Sequence, residues 1–228
     1  MLLLVDLGGR TVVLPDVDYT RERTFSAQPL SENQWQKGRK MSETSTRDAV
    51  VATADDLFYR RGIQAVGMDE LRTAAGVSLK RLYSEFKSKD EIVQAVLARR
   101  TGVWQECVSS RVDAAATARD KLLAIYDYLV EWTAEEEFRG CGFVNTFGEI
   151  GALNEDVADA VRAHKEGFAA YVRGLAVDAG LGPDVAEQLV LLAEGVQTMA
   201  AVTHDPRWAD AARTAAATLI DAGLAARG

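Results

Sequence analysis

The sequence predicts an all-α fold, and three observations carry that expectation. Only four prolines interrupt 228 residues dominated by Ala, Leu, Val and Glu, most of them good helix formers. From Thr46 onward, apolar residues recur at three- and four-residue spacing, the period of a helix with one buried face. Between those stretches stand helix caps and breakers, among them Ser78, Ser88 and the run His204-Asp205-Pro206. With 48% hydrophobic and 26% charged residues, the chain has the balance of a globular protein with a sizeable core.

Residues 1–43 read differently. Gly8-Gly9, Pro15 and Pro29 stand among scattered polar residues with no sustained period, and a poorly ordered extension is expected there. Lys37, Arg39 and Lys40 form a small basic cluster at its end, either a solvated tail or an arm for a polyanion. Met41 is a second candidate translation start.

The first clear helix starts at Thr46, turns Val50, Ala54, Leu57 and Phe58 inward, and ends near Gly62. A short second helix runs from Met68 to about Ala75, with Leu71, Ala74 and Ala75 inward and Asp69-Glu70 in its first turn, where the macrodipole favours acids. Gly76-Val77-Ser78 makes a turn, glycine supplying the left-handed geometry and Ser78 a cap. The third helix, Leu79 to about Phe86, is expected to bury Leu79, Leu82 and Phe86 and to face Lys80, Arg81, Tyr83 and Ser84 outward. Ser88 with Glu91 forms a capping box for a fourth helix that carries Ile92, Val93, Val96 and Leu97 on toward Trp104 and Val108. Further helices are expected at about 118–136, 142–151, 155–179, 184–203 and 206–226.

The net charge of −8 is unevenly spread. Residues 1–100 carry 16 Lys and Arg against 14 Asp and Glu; the remaining 128 carry 10 against 20. Such a division suggests two jobs on one chain. The stretch from Ser78 to Lys89 has Lys80, Arg81, Lys87 and Lys89 opposed by Glu85 alone, a local basic face that a phosphate backbone can approach.

Two short helices joined by a tight glycine turn are the parts of a helix-turn-helix. A helix fits the major groove, where base edges display a readable donor and acceptor pattern. Lys80 and Arg81 suit guanine or phosphate, Ser78 and Ser84 either, the Tyr83 hydroxyl a phosphate, and Lys89 a phosphate at the start of the next helix.

The run Leu57-Phe58, Gly62, Met68-Asp69-Glu70-Leu71, Ala74-Ala75-Gly76-Val77-Ser78, Leu82-Tyr83, Phe86 and Ser88-Lys89-Asp90 resembles the DNA-binding domain of the TetR family of bacterial transcriptional repressors. The resemblance covers about residues 46–95 without a gap. It implies an all-helical homodimer with a helix-turn-helix domain over residues 44–88 and a ligand-binding and dimerisation domain over 89–228. It also implies operator contacts through Ser78, Lys80, Arg81, Tyr83 and Ser84, with Lys89 on a phosphate. Two departures stand out. Val66 and Gly67 replace the hydroxyl residues usual before the second helix, so a side-chain cap is lost. Lys80 and Arg81 occupy positions often small in the family, which alters the bases read and strengthens phosphate binding.

In the acidic half, Trp104, Tyr126, Phe143, Phe147, Phe168, Tyr171 and Met199 lie on helices expected to surround the domain interior, as core residues or as a ligand pocket. Gly140-Cys141-Gly142-Phe143-Val144-Asn145 is similar to a segment found in many members of the family. Asn145 is either a pocket hydrogen-bonding group or an internal cap. Cys141 is either a small core residue or a thiol that senses electrophiles. The apolar surroundings point to a hydrophobic or aromatic effector of modest size. The last two helices offer apolar faces, Val185, Leu189, Leu192, Val196 and Met199 on one and Trp208, Ala212, Ala215 and Leu219 on the other. Pairing them with a second subunit would give a two-fold four-helix interface and place two recognition helices on a palindromic operator of double-stranded DNA.

Enzyme chemistry is not expected. The histidines His164 and His204 lack a Glu three residues earlier, and HExxH, GxSxG and GxGxxG motifs are absent from the sequence. No cofactor or metal is called for. Without an uninterrupted apolar run near the roughly 20 residues that span a bilayer, and with two cysteines that form no framework, a cytoplasmic protein with no membrane partner is expected.

Overall fold

A computed structural model describes residues 45–226; the expected extension over 1–43, its basic cluster and Met41 lie outside the described residues. The described chain is helical throughout: α1 (Thr46–Arg61), α2 (Met68–Ala74), α3 (Leu79–Glu85), α4 (Lys89–Ala114), α5 (Ala118–Thr133), α6 (Gly142–Thr146), α7 (Glu155–Asp178), α8 (Pro183–Thr203) and α9 (Arg207–Ala225).

Local chemistry starts these helices where side-chain oxygens can accept first-turn amides. Ser45, Ser78, Ser88, Thr117 and Asn154 cap α1, α3, α4, α5 and α7. At α4 the Glu91 carboxylate also accepts the Lys87 amide at 2.7 Å, reaching back past the Ser88 cap. Before α2, Gly67 supplies no side-chain cap. Pro183 opens α8, and His204 closes it with φ of +51°.

Two clusters of buried side chains organise the chain. The first joins Val50, Ala54 and Phe58 of α1 to Leu71, Leu82 and Phe86, to Ile92–Leu97 of α4, and to Cys141, Phe143, Val157 and Val161. The second gathers Val108 and Val112 of α4 with the inner faces of α5, α7, α8 and α9. The core under the helix-turn-helix therefore does not stop at residue 88. It runs up α4 and takes in α6 and the start of α7, while α4 itself serves both clusters.

Several sequence expectations shift. The helix expected over 142–151 is α6 followed by a π-helical turn, Phe147–Gly151. Gly151 closes this turn beneath the Phe147 ring, where an added Cβ would stand 2.7 Å from that ring and push it aside. Leu79, expected inward, is 41% exposed, because α3 is short and its buried face is filled by Leu82 and Phe86. Ala74 is exposed as well. On α8 and α9, Leu189, Val196 and Ala212 pack inside the subunit's own core instead of forming an outer face. The apolar residues that α8 turns outward are Leu191 at 71% exposure, Val202 at 74% and Met199 at 38%. By length and composition alone, α8 could also cross a bilayer, but Ala186, Leu189, Ala193, Val196 and Ala200 along one side are buried in this core.

Candidate nucleic-acid interface and effector cavity

The recognition surface is built outward from Leu82 and Phe86, both fully buried. Their burial fixes the roll of α3 and leaves Lys80, Arg81, Tyr83 and Ser84 exposed on the opposite arc. Arg47 of α1 clamps the end of α3: its guanidinium lies 4.1 Å from the Phe86 ring centroid and donates to the Glu85 carbonyl at 2.7 Å.

Several polar groups on this face already have partners. The Ser78 hydroxyl accepts the Arg81 amide at 3.1 Å, and Ser84 donates to the Arg81 carbonyl at 2.7 Å. The Arg81 guanidinium pairs with Glu85 at 2.8 Å and reaches Thr46 at 3.4 Å. Tyr83 is 49% exposed beside Leu79. Five of the six expected contact residues thus share one surface. Lys89 stands apart, half-buried with its ammonium 5.8 Å from the Phe58 ring centroid, and burial lowers its pKa. Thr46 and Arg47 adjoin this surface without any local sequence signal, since their approach to α3 depends on how α1 crosses it, and Leu79, expected inward, stands on the surface itself.

The helix-turn-helix is tied to the rest of the chain by hydrogen bonds as well as by its core. The Glu149 carboxylate in the π-helical turn accepts the Ile63 amide at 3.1 Å and the Gln64 amide at 3.2 Å, and the Gln64 side chain donates to the Glu149 carbonyl at 2.9 Å. The Tyr59 hydroxyl accepts the Arg139 amide at 2.8 Å and donates to the Gly140 carbonyl at 2.9 Å. Asp55 of α1 pairs with Arg100 of α4; burial raises the Asp55 pKa against the pull of that guanidinium.

A cavity of about 600 Å³ opens between α4 and α7. Thr101, Trp104, Gln105, Val108 and Ser109 form its α4 wall, and Ala160, Ala163, His164, Gly167, Phe168 and Tyr171 its α7 wall. The wall carries no carboxylate, lysine or arginine. Burial, with the adjoining Lys165 charge, pushes the His164 pKa down to about 4, so the ring is neutral at ordinary pH. Trp104 meets His164 and Phe168 edge-on, with centroids 5.6 and 5.1 Å apart.

Of the eight residues expected to line a pocket, the cavity brings together Trp104, Phe168 and Tyr171. Tyr126 is buried in the second core, its hydroxyl donating to the Leu189 carbonyl at 2.6 Å. Phe143 belongs to the first core. Asn145 donates to the Arg139 carbonyl at 3.0 Å and borders a separate crevice of about 20 Å³. Phe147 and Met199 face outward. The remaining lining residues recur at helical spacing along 101–109 and 160–171, a signal the sequence held, but no local pattern says that those two helix faces meet. Cys141 is buried with its sulfur 3.2 Å from Lys165 Nζ, and that ammonium also pairs with Glu194 at 2.6 Å.

Comparison with known proteins agrees with this arrangement in both halves. The family model for bacterial regulatory proteins of the tetR family matches residues 50–96, and the tetracyclin repressor-like C-terminal domain model matches 118–216. The HTH-type transcriptional activator FasR of Mycolicibacterium smegmatis is 31% identical over 121 residues, which cover 51% of this chain and 54% of that protein. The chain thus spans about half the length of this relative. The HTH-type transcriptional repressor NemR of Escherichia coli is 28% identical over 135 residues, covering 58% of this chain and 68% of that one. A crystal structure of a TetR-family transcriptional regulator from Streptomyces coelicolor superposes with a TM-score of 0.74 at 26% identity, covering 78% of this chain and 96% of that one. Matched by the family's models in its helix-turn-helix and again in its C-terminal helices, this chain belongs to the TetR family of helix-turn-helix transcriptional regulators.

Proposed function

We propose that this regulator is a repressor that holds a palindromic operator as a homodimer and releases it when an uncharged aromatic or apolar effector enters the cavity between α4 and α7. One observation carries the reading. His164 lines that cavity and also stacks on Phe143, a residue of the core beneath the helix-turn-helix. The cavity volume falls in the range of small-molecule sites, and its uncharged wall would leave an anionic or cationic effector without a partner.

The DNA contacts of the repressor are Ser78, Lys80, Arg81, Tyr83 and Ser84, with Lys89 in reserve at the head of α4. The homodimer forms through the outer faces of α8 and α9. Effector binding acts by preferring one arrangement of α4 and α6, since occupancy without differential affinity moves no equilibrium. An activator is the second reading, favoured by the 31% identity to FasR.

Fluorescence anisotropy on a duplex from the gene's own promoter tests this, with and without a panel of uncharged aromatic compounds and a matched anionic panel. Release by members of the first panel alone supports the proposal; indifference to both removes the effector. In vitro transcription from the same promoter then separates the readings: the bound protein lowers transcript yield if it is a repressor and raises it if it is an activator.

A further inference from the structure

We infer that Leu79 reads thymine, by packing against its 5-methyl group in the major groove, and is a specificity-determining residue of this regulator. The inference rests on the DNA-binding reading of α3. Leu79 is 41% exposed, whereas Leu82 on the same helix and Phe86 at its C-cap are fully buried. It precedes Tyr83, 49% exposed, by four residues, so the two side chains stand as neighbours along one edge of the helix. Together they make an apolar strip flanked by Lys80.

The polar groups nearby leave this strip a particular task. Ser78, Ser84 and Arg81 are engaged by the Arg81 amide, the Arg81 carbonyl and Glu85. Lys80 is a flexible point charge, suited to phosphate or to any guanine within reach. None of these distinguishes a thymine from an adenine by shape. In the major groove only thymine presents a methyl group, and an aliphatic side chain is the complement to it. A leucine held partly in water would shed that water against such a methyl and gain nothing against a cytosine amino group, which it would instead desolvate.

The test uses the full-length protein. Bound duplexes are selected from a random pool, and each thymine of the resulting consensus is replaced in turn by uracil, which keeps base pairing and removes only the methyl. At one or two thymines in each half-site, uracil should weaken wild-type binding about fourfold, the equivalent of burying one methyl. Leu79→Ala should bind the thymine and uracil duplexes alike, and should lose preference for thymine at those positions when selection is repeated. Because the side chain is only partly covered, the variant should keep a cooperative melt close to that of the wild type. Thymine positions insensitive to uracil, or sensitivity undiminished in Leu79→Ala, would overturn the assignment while leaving DNA binding intact. Failure to enrich any duplex would overturn the DNA-binding reading and this inference with it.

Discussion

The imidazole of His164 lies flat on the ring of Phe143, with centroids 3.5 Å apart and planes 4° from parallel. One face of the contact is α7 at the cavity; the other is α6 in the core that supports α1–α3. Thr101 approaches His164 Nδ1 at 3.3 Å, so α4 joins the same contact. A molecule that displaces the ring therefore presses on three helices at once. From α6 the chain continues into the π-helical turn, where Glu149 holds the two amides that follow α1.

His164 makes stability depend on pH. In the unfolded chain the imidazole takes up a proton near its ordinary value of 6.5, whereas the folded ring does so only near 4. The unfolded state therefore binds more protons across that interval. The contribution of the neutral ring is complete above about pH 6.5 and is lost as pH falls toward 4. Solvent that reaches the half-buried ring trims the slope to at most about 1 kcal/mol per pH unit. Urea unfolding across this interval should show the decline in the wild type and a flatter one in His164→Gln.

Gly167 offers a clean way to fill the cavity. It sits within α7 on the cavity wall, and a Cβ added there meets nothing within 4 Å. Gly167→Ala should raise helix stability by about 1 kcal/mol. Gly167→Phe should keep a cooperative melt while weakening uptake of N-phenyl-1-naphthylamine, an uncharged fluorescent aromatic, at least about tenfold. Unchanged uptake in the phenylalanine variant would place the probe elsewhere.

Glu149 fastens the loop between α1 and α2. In Glu149→Ala the amides of Ile63 and Gln64 lose their acceptor, at a cost of about 1–3 kcal/mol. Hydrogen exchange at residues 63 and 64 should accelerate, while exchange in α8 should not. Glu149→Gln retains one carbonyl oxygen and should fall between the two.

Leu191 and Val202 stand on the outer side of α8, outside the subunit's own core. The double substitution Leu191→Asp with Val202→Asp should leave the helical circular dichroism unchanged and yield a monomer by sedimentation at micromolar concentration. Operator affinity should then drop about 100-fold or more, because the second half-site is no longer tethered to the first. A double variant that sediments as a dimer would move the interface to another face.

The sequence by itself determined the helices and their order. Caps at Ser45, Ser78, Ser88, Thr117 and Asn154, glycine at position 76 and proline at 183 act over a few residues, so their effect is written locally. The helix-turn-helix was legible for the same reason: its turn, its two buried anchors Leu82 and Phe86 and its basic arc lie within one short stretch.

Tertiary structure decided which apolar faces meet. Tyr126 and Trp104 look alike as aromatics on helices, yet one is locked to Leu189 in the core and the other walls a cavity. Leu189 and Leu191 fall on opposite sides of α8 by helix geometry alone, but only the packing of α8 on α7 and α9 decides that the Leu189 side is the covered one. Periodicity states that a helix has an apolar side; which neighbour covers that side, and where coverage leaves a gap, depends on contacts between residues distant in the chain. The cavity, the Glu149 bonds and the exposure of Leu79 are all of that kind.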